Sequence, residues 1–182
     1  MTSLEAAYAG IVDRLRIHSS AAERHLTRPE GLELVMASVP DWWSARGNRL
    51  FAPLGCSVVL REHPGIAPPS DAIVIVGPDC LAPAEIMLWG DAPAVLLGPS
   101  CRLPNGHIHC GGGSTIVIAG YLASINAARL SARNGGLITV GIDNLWGHGV
   151  AIQTDDMHAI LDARTQRRVN RFGSLVEIGK HV

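Results

Sequence analysis

Two kinds of hydrophobic spacing divide this chain. From Ser3 to His25 the apolar positions Leu4, Ala7, Tyr8, Ile11, Val12 and Leu15 recur at helical intervals, and Ser3 stands where a helix-capping hydroxyl belongs. Arg28-Pro29-Glu30-Gly31 interrupts this pattern, and Pro29 to Ser38 reads as a second short helix. An irregular link opens at Pro40-Asp41-Trp42-Trp43. Residues 1–50 are therefore expected to form a helical extension that caps the open end of whatever follows.

Beyond residue 50 the period changes. Gly77, Gly98, Gly120 and Gly141 are spaced 21, 22 and 21 residues apart. Each closes a short aliphatic segment: Val74-Ile75-Val76, Val95-Leu96-Leu97, Val117-Ile118-Ala119 and Ile138-Thr139-Val140. A second aliphatic returns half a period later, at Ile86, Ile108, Leu130 and Ile152. β-branched residues suit pleated, half-buried strands, and glycine suits a sharp corner after them. A strand-and-corner unit of 21 or 22 residues, repeated, predicts a parallel β-helix over residues 51–182. The next match, Val176-Glu177-Ile178-Gly179, comes 38 residues after Gly141, so one coil carries an inserted loop at about residues 155–171. Gly55 marks an irregular first coil with a poor strand, Ala52-Pro53-Leu54.

Composition narrows the picture. The charged fraction is 17% against 47% hydrophobic, which excludes a wholly disordered chain. Only 2 Phe, 4 Trp and 2 Tyr accompany 20 Gly, a balance suited to a narrow core of small aliphatics. A net charge of −1 provides no general attraction to nucleic acid. No apolar run reaches the roughly 18 residues of a membrane span, and the N-terminus lacks the basic head of a secretory signal. Four cysteines without tight spacing suit free thiols, and the expected location is cytoplasmic. Cys80 and Cys101, 21 apart, are expected to stack one coil above the other as a buried pair.

The stretch Gly149-Val150-Ala151-Ile152-Gln153-Thr154-Asp155-Asp156-Met157-His158-Ala159-Ile160-Leu161-Asp162, with Arg167-Arg168-Val169-Asn170 and Val176-Glu177-Ile178-Gly179-Lys180-His181-Val182 after it, carries a resemblance. It is similar to the bacterial hexapeptide-repeat O-acyltransferases that acetylate surface polysaccharides. Their pattern is a strand, Ser-Asp-x-His-x-Ile-x-Asp, a loop ending in Ile-Asn, and Ile-Gly-x-x-Val-Trp. Asp155 replaces the Ser and Val169 the Ile. The chain stops at Val182, where the family's pattern continues with Trp and further coils that hold much of the acetyl-CoA. The resemblance thus implies a C-terminally truncated version.

The resemblance implies a left-handed parallel β-helix, acting as a homotrimer with sites between subunits. Coils this long are more usual for a right-handed β-helix, which stays as the structural runner-up. It also implies transfer of acetyl from acetyl-CoA to a sugar or polysaccharide hydroxyl, with His158 as general base. A neutral imidazole titrates close to working pH and suits that role. Asp156 and Asp162 are the candidates to orient its ring. Trp146, His148, Arg167, Arg168 and Asn170 are the candidate substrate-binding residues, with Arg164 beside them.

Two other readings compete. His107-Ile108-His109-Cys110 places two imidazoles on one strand face, as a carbonic-anhydrase-like metal enzyme would need. The corresponding positions near 128–131 and 150–153 hold no His or Cys, so no metal is expected. The remaining alternative is a non-catalytic scaffold. Gly111-Gly112-Gly113 is read as a wide corner, since no phosphate-loop lysine follows it.

Overall fold

The computed structural model describes residues 3–18, 26–36, 38–81 and 83–182. Its elements, in chain order, are α1 (Leu4–His18), β1 (Glu33–Leu34), α2 (Asp41–Ser44), β2 (Arg49–Ala52), β3 (Leu60–Glu62), β4 (Ile73–Val76), β5 (Glu85–Leu88), β6 (Ala94–Leu97), β7 (His107–Cys110), β8 (Thr115–Asn126), β9 (Arg129–Ala132), β10 (Leu137–His148), β11 (Ala151–Gln153) and β12 (Leu175–Ile178). They form a parallel β-solenoid of about 5 turns. Even-numbered strands stack in one sheet, β2-β4-β6-β8-β10-β12, with β1 on its edge, and odd-numbered strands in another, β3-β5-β7-β9-β11.

The stacking rows explain why these residues form these strands. In the larger sheet Leu50, Val74, Val95, Ile116, Ile138 and Val176 lie in register, as do Val76, Leu97, Ile118, Val140 and Ile178. Opposite them run Leu60, Ile86, Ile108, Leu130 and Ile152. These rows form the solenoid core. Like aliphatics stacked at the strand spacing of roughly 4.8 Å bury one another on every coil.

The register corrects one step of the expected repeat. Val95 pairs with Ile116, and Leu96 with Val117. The true strand period is 21, 21, 22 and 38 residues, and Ala119, not Gly120, occupies the corner position of Gly77, Gly98 and Gly141. Glycine spacing led to a one-residue slip there, which in a strand inverts the facing of every side chain. The corner glycines also serve a purpose other than the expected one. A Cβ on Gly77 would lie 2.8 Å from the carbonyl carbon of Gly98, so the small residue permits adjacent coils to approach. The left-handed backbone falls elsewhere, at three corners per coil. Asp79, Ser100, Tyr121 and Asp143 hold one, Asp71, Ala92, Gly113, Gly135 and Gly173 a second, and Asn105, Ala127 and Gly149 a third. Isolated parallel bridges joining Leu81, Arg102 and Ala123 supply a third face between the first and third corners.

The N-terminal region departs from the expected cap. Helix α1 starts at its Ser3 cap, whose hydroxyl accepts the Ala6 N–H at 3.2 Å. It does not cover the open end. Ala7, Ile11 and Leu15 are buried with Phe51, Ile75, Leu96 and Val117, the outward row of the larger sheet, so α1 straps the flank of four coils. The expected extension of this helix to His25 lies partly outside the described residues. The expected helix over 29–38 is absent among the described residues. Gly31 takes φ 68, and β1 instead pairs antiparallel with β2, Leu34 opposite Phe51. A free sheet edge offers that segment more hydrogen bonds than an isolated turn of helix could. The end is closed by the segment expected to be an irregular link. It forms α2, whose Trp43 is 1% exposed in the core cluster with Val35 and Val39 against it.

The insertion lies where the spacing placed it, between β11 and β12. Its residues form a hairpin-like loop closed by an antiparallel bridge between Leu161 and Arg168. Cys80 and Cys101 stack as expected, Cys101 buried and Cys80 half-buried. Among the described residues no helix is long and apolar enough to cross a membrane.

Candidate functional site

The loop after β11 is shaped by its own acidic and amide side chains. Asp155, nearly buried, accepts the Met157 N–H and the side-chain amide of Asn134 at 2.8 Å, which fixes the loop to the coil below. Asp156 then accepts the His158 backbone N–H at 3.0 Å, and its other oxygen lies 3.6 Å from His158 Nδ1. The His158 backbone N–H and then its ring hold the Asp156 carboxyl below the usual carboxylate range. The His158 side chain is 83% exposed, open to a ligand from solution. A carboxylate beside Nδ1 favours the tautomer that leaves Nε2 free to accept a proton.

The other sequence-derived candidates fall into distinct groups. Asp162 does not meet His158. One of its oxygens accepts the Arg164 and Thr165 N–H groups and the Thr165 hydroxyl, so it is the turn former of the loop tip, and those donors lower its pKa. Asn170 spans the loop. Its Oδ1 accepts the Ile160 N–H and its Nδ2 donates to the His158 carbonyl, both at 2.8 Å. It therefore positions the catalytic candidate. Arg168 is committed within the loop, with Nε 3.0 Å from Asn170 Oδ1 and its guanidinium 3.1 Å from the Phe172 ring centroid. Trp146 is 5% exposed in the solenoid core, which corrects its assignment to the acceptor site. Asn144 and Trp146 are buried while Asp143, Leu145 and Gly147 around them are exposed, so alternate residues of this stretch face inward. His148, Arg164 and Arg167 are exposed.

Two further groupings contain partners that the sequence reading did not supply. His181 Nδ1 lies 2.9 Å from an Asp143 carboxylate oxygen across the last coil boundary. On the outer face of the five-stranded sheet, His107 and His109 are joined by Glu85, directly opposite His107 in register. Glu85 Oε1 lies 3.1 Å from His107 Nδ1 and 3.7 Å from His109 Nε2. The signal for Glu85 was its offset of 22 residues from His107, one coil, and an alternating strand that faces it outward beside Met87. His63 stacks edge-on to Trp89 at 5.1 Å, and Arg133 lies over the same indole, so this face is densely functionalised.

No family model, no curated protein and no solved structure matches the chain.

Proposed function

We propose that the chain is an O-acetyltransferase of the hexapeptide-repeat kind, with His158 as general base toward a sugar or polysaccharide hydroxyl. The observation that carries this reading is the Asp156–His158 pair, presented on a self-braced loop that interrupts an otherwise regular solenoid. In the reaction, Nε2 of His158 takes the acceptor hydroxyl proton as that oxygen attacks the thioester carbonyl of acetyl-CoA. The tetrahedral intermediate collapses by breaking the carbon–sulfur bond. The departing thiolate recovers the proton from the imidazolium, and Asp156 stabilises that cation while it exists. Exposed Arg164 and Arg167 on the same loop suit the phosphates of the donor. In this reading the protein works in the cytoplasm as a homotrimer, neighbouring subunits completing each site.

The test is acetyl transfer from acetyl-CoA to a panel of monosaccharides and oligosaccharides, followed by thiol release. Transfer abolished in His158→Ala, with the fold intact by circular dichroism, supports the reading. Thiol release by His158→Ala at the wild-type rate overturns it.

A further inference from the structure

We propose that Glu85, His107 and His109 form a binding site for a zinc-class divalent ion on the outer face of the five-stranded sheet. The three side chains come from two adjacent coils, and parallel register sets Glu85 directly beside His107. His109, two residues on, faces the same side. One potential ligand atom from each of the three residues lies within 4.8 Å of the others. A tetrahedral ion about 2.0–2.2 Å from each donor would hold them about 3.3–3.6 Å apart, so small side-chain adjustments complete the set.

An ion pair between Glu85 and His107 accounts for only part of this arrangement. His109 Nε2 is buried and has no hydrogen-bond partner among the described residues, since 3.7 Å to Glu85 is too long for one. A buried ring nitrogen facing a carboxylate and a second imidazole is an unused lone pair or an unused proton, and a metal ion uses all three groups at once.

The surroundings select the kind of ion. Arg61 Nε lies 3.3 Å from the second oxygen of Glu85, and Arg129 is opposite His107 in register. Guanidiniums so near oppose a hard cation held by charge alone, such as magnesium or calcium, which would also want more oxygen ligands. Two imidazoles and one carboxylate match zinc and its neighbours, whose bonds to nitrogen have covalent character. Three protein ligands leave a fourth position, and the His107 side chain, 38% exposed, places it toward solvent. That is the arrangement of a metal with a bound water, not of a closed structural site.

The experiment uses the full chain stripped of metal and titrated with zinc by calorimetry and with cobalt by absorption spectroscopy. One equivalent of zinc, and cobalt bands of a four-coordinate nitrogen–oxygen site, are expected. His107→Ala, His109→Ala and Glu85→Gln should each weaken zinc at least about tenfold, the scale already lost when only an outer-shell partner of a metal ligand is removed. His158→Ala must retain full affinity, which separates this site from the acyl-transfer loop. Zinc binding absent from the folded protein, or unchanged within twofold in a His107→Ala/His109→Ala double variant, overturns the proposal. So does zinc affinity lost with His158→Ala instead.

Discussion

One carboxylate of Asp156 holds both ends of its partner: one oxygen accepts the His158 backbone N–H at 3.0 Å, and the other stands 3.6 Å from the ring Nδ1. The backbone bond sets where the imidazole stands and the second oxygen biases its tautomer. Asp156→Asn keeps an acceptor for the backbone and loses the charge beside the ring. Its kcat for acetyl transfer is expected to fall about tenfold, less than a buried dyad would lose because this pair is exposed. His158→Ala is expected to lose about 100-fold or more. Steady-state rates with one acceptor check both.

Asp162 ties the loop tip through its charge. Its folded pKa lies below its ordinary value because the Thr165 N–H and hydroxyl donate to the carboxylate. A depressed acid adds stability above its unfolded pKa and loses that contribution as pH falls through the folded value. Loop order is therefore expected to persist at neutral pH and to weaken as pH falls from the ordinary aspartate value of about 3.8 toward the lower folded value. Asp162→Ala should show the loosened loop at every pH. Amide exchange at Arg164 and Thr165 reads the difference.

The flank strap is a core element. Ile11 is fully buried with the row Phe51, Ile75, Leu96 and Val117. Ile11→Ala is expected to cost about 2–4 kcal/mol in chemical denaturation. Ile17, on the same helix but 77% exposed, should tolerate alanine with a change within about 0.5 kcal/mol.

At Gly98 two coils approach closely, and an added Cβ would collide with the backbone of Ala119. Gly98→Ala is expected to destabilise by about 1–3 kcal/mol or more, since rigid backbone must move. Gly147→Ala meets nothing within 4 Å and serves as the control. Thermal melts of the two variants should separate clearly.

Thr139 continues the outward row beside Val117, is 1% exposed, and its hydroxyl has no partner among the described residues. An isosteric apolar residue removes that unsatisfied group without changing shape. Thr139→Val is expected to raise stability by about 1 kcal/mol, measured by the denaturation midpoint at unchanged slope.

Much of the site was legible for local reasons. Asp156 and His158 are two residues apart, so any loop conformation keeps the carboxylate close to the ring. Trp146 and Asp162 were not, because their partners are remote or ambiguous. An indole near a corner reads as ligand or core until its facing is known, and a carboxylate six residues from Asp156 can serve the ring or the turn. Glu85 stayed hidden because its signals, the 22-residue offset from His107 and an outward position on an alternating strand, mean contact only once the coil register is known.

Periodicity by itself determined the parallel solenoid, the coil length and the place of the insertion, because every coil repeats the same burial problem and solves it with the same spacing of aliphatics. Only the tertiary structure decided the register at Ile116 and Val117, the course of α1 along the flank, and the meeting of Glu85 with His107 and His109. Those depend on which face meets which neighbour. A run such as Thr115-Ile116-Val117-Ile118-Ala119, apolar on both sides, leaves that undetermined until the inner row and the covering helix compete for it.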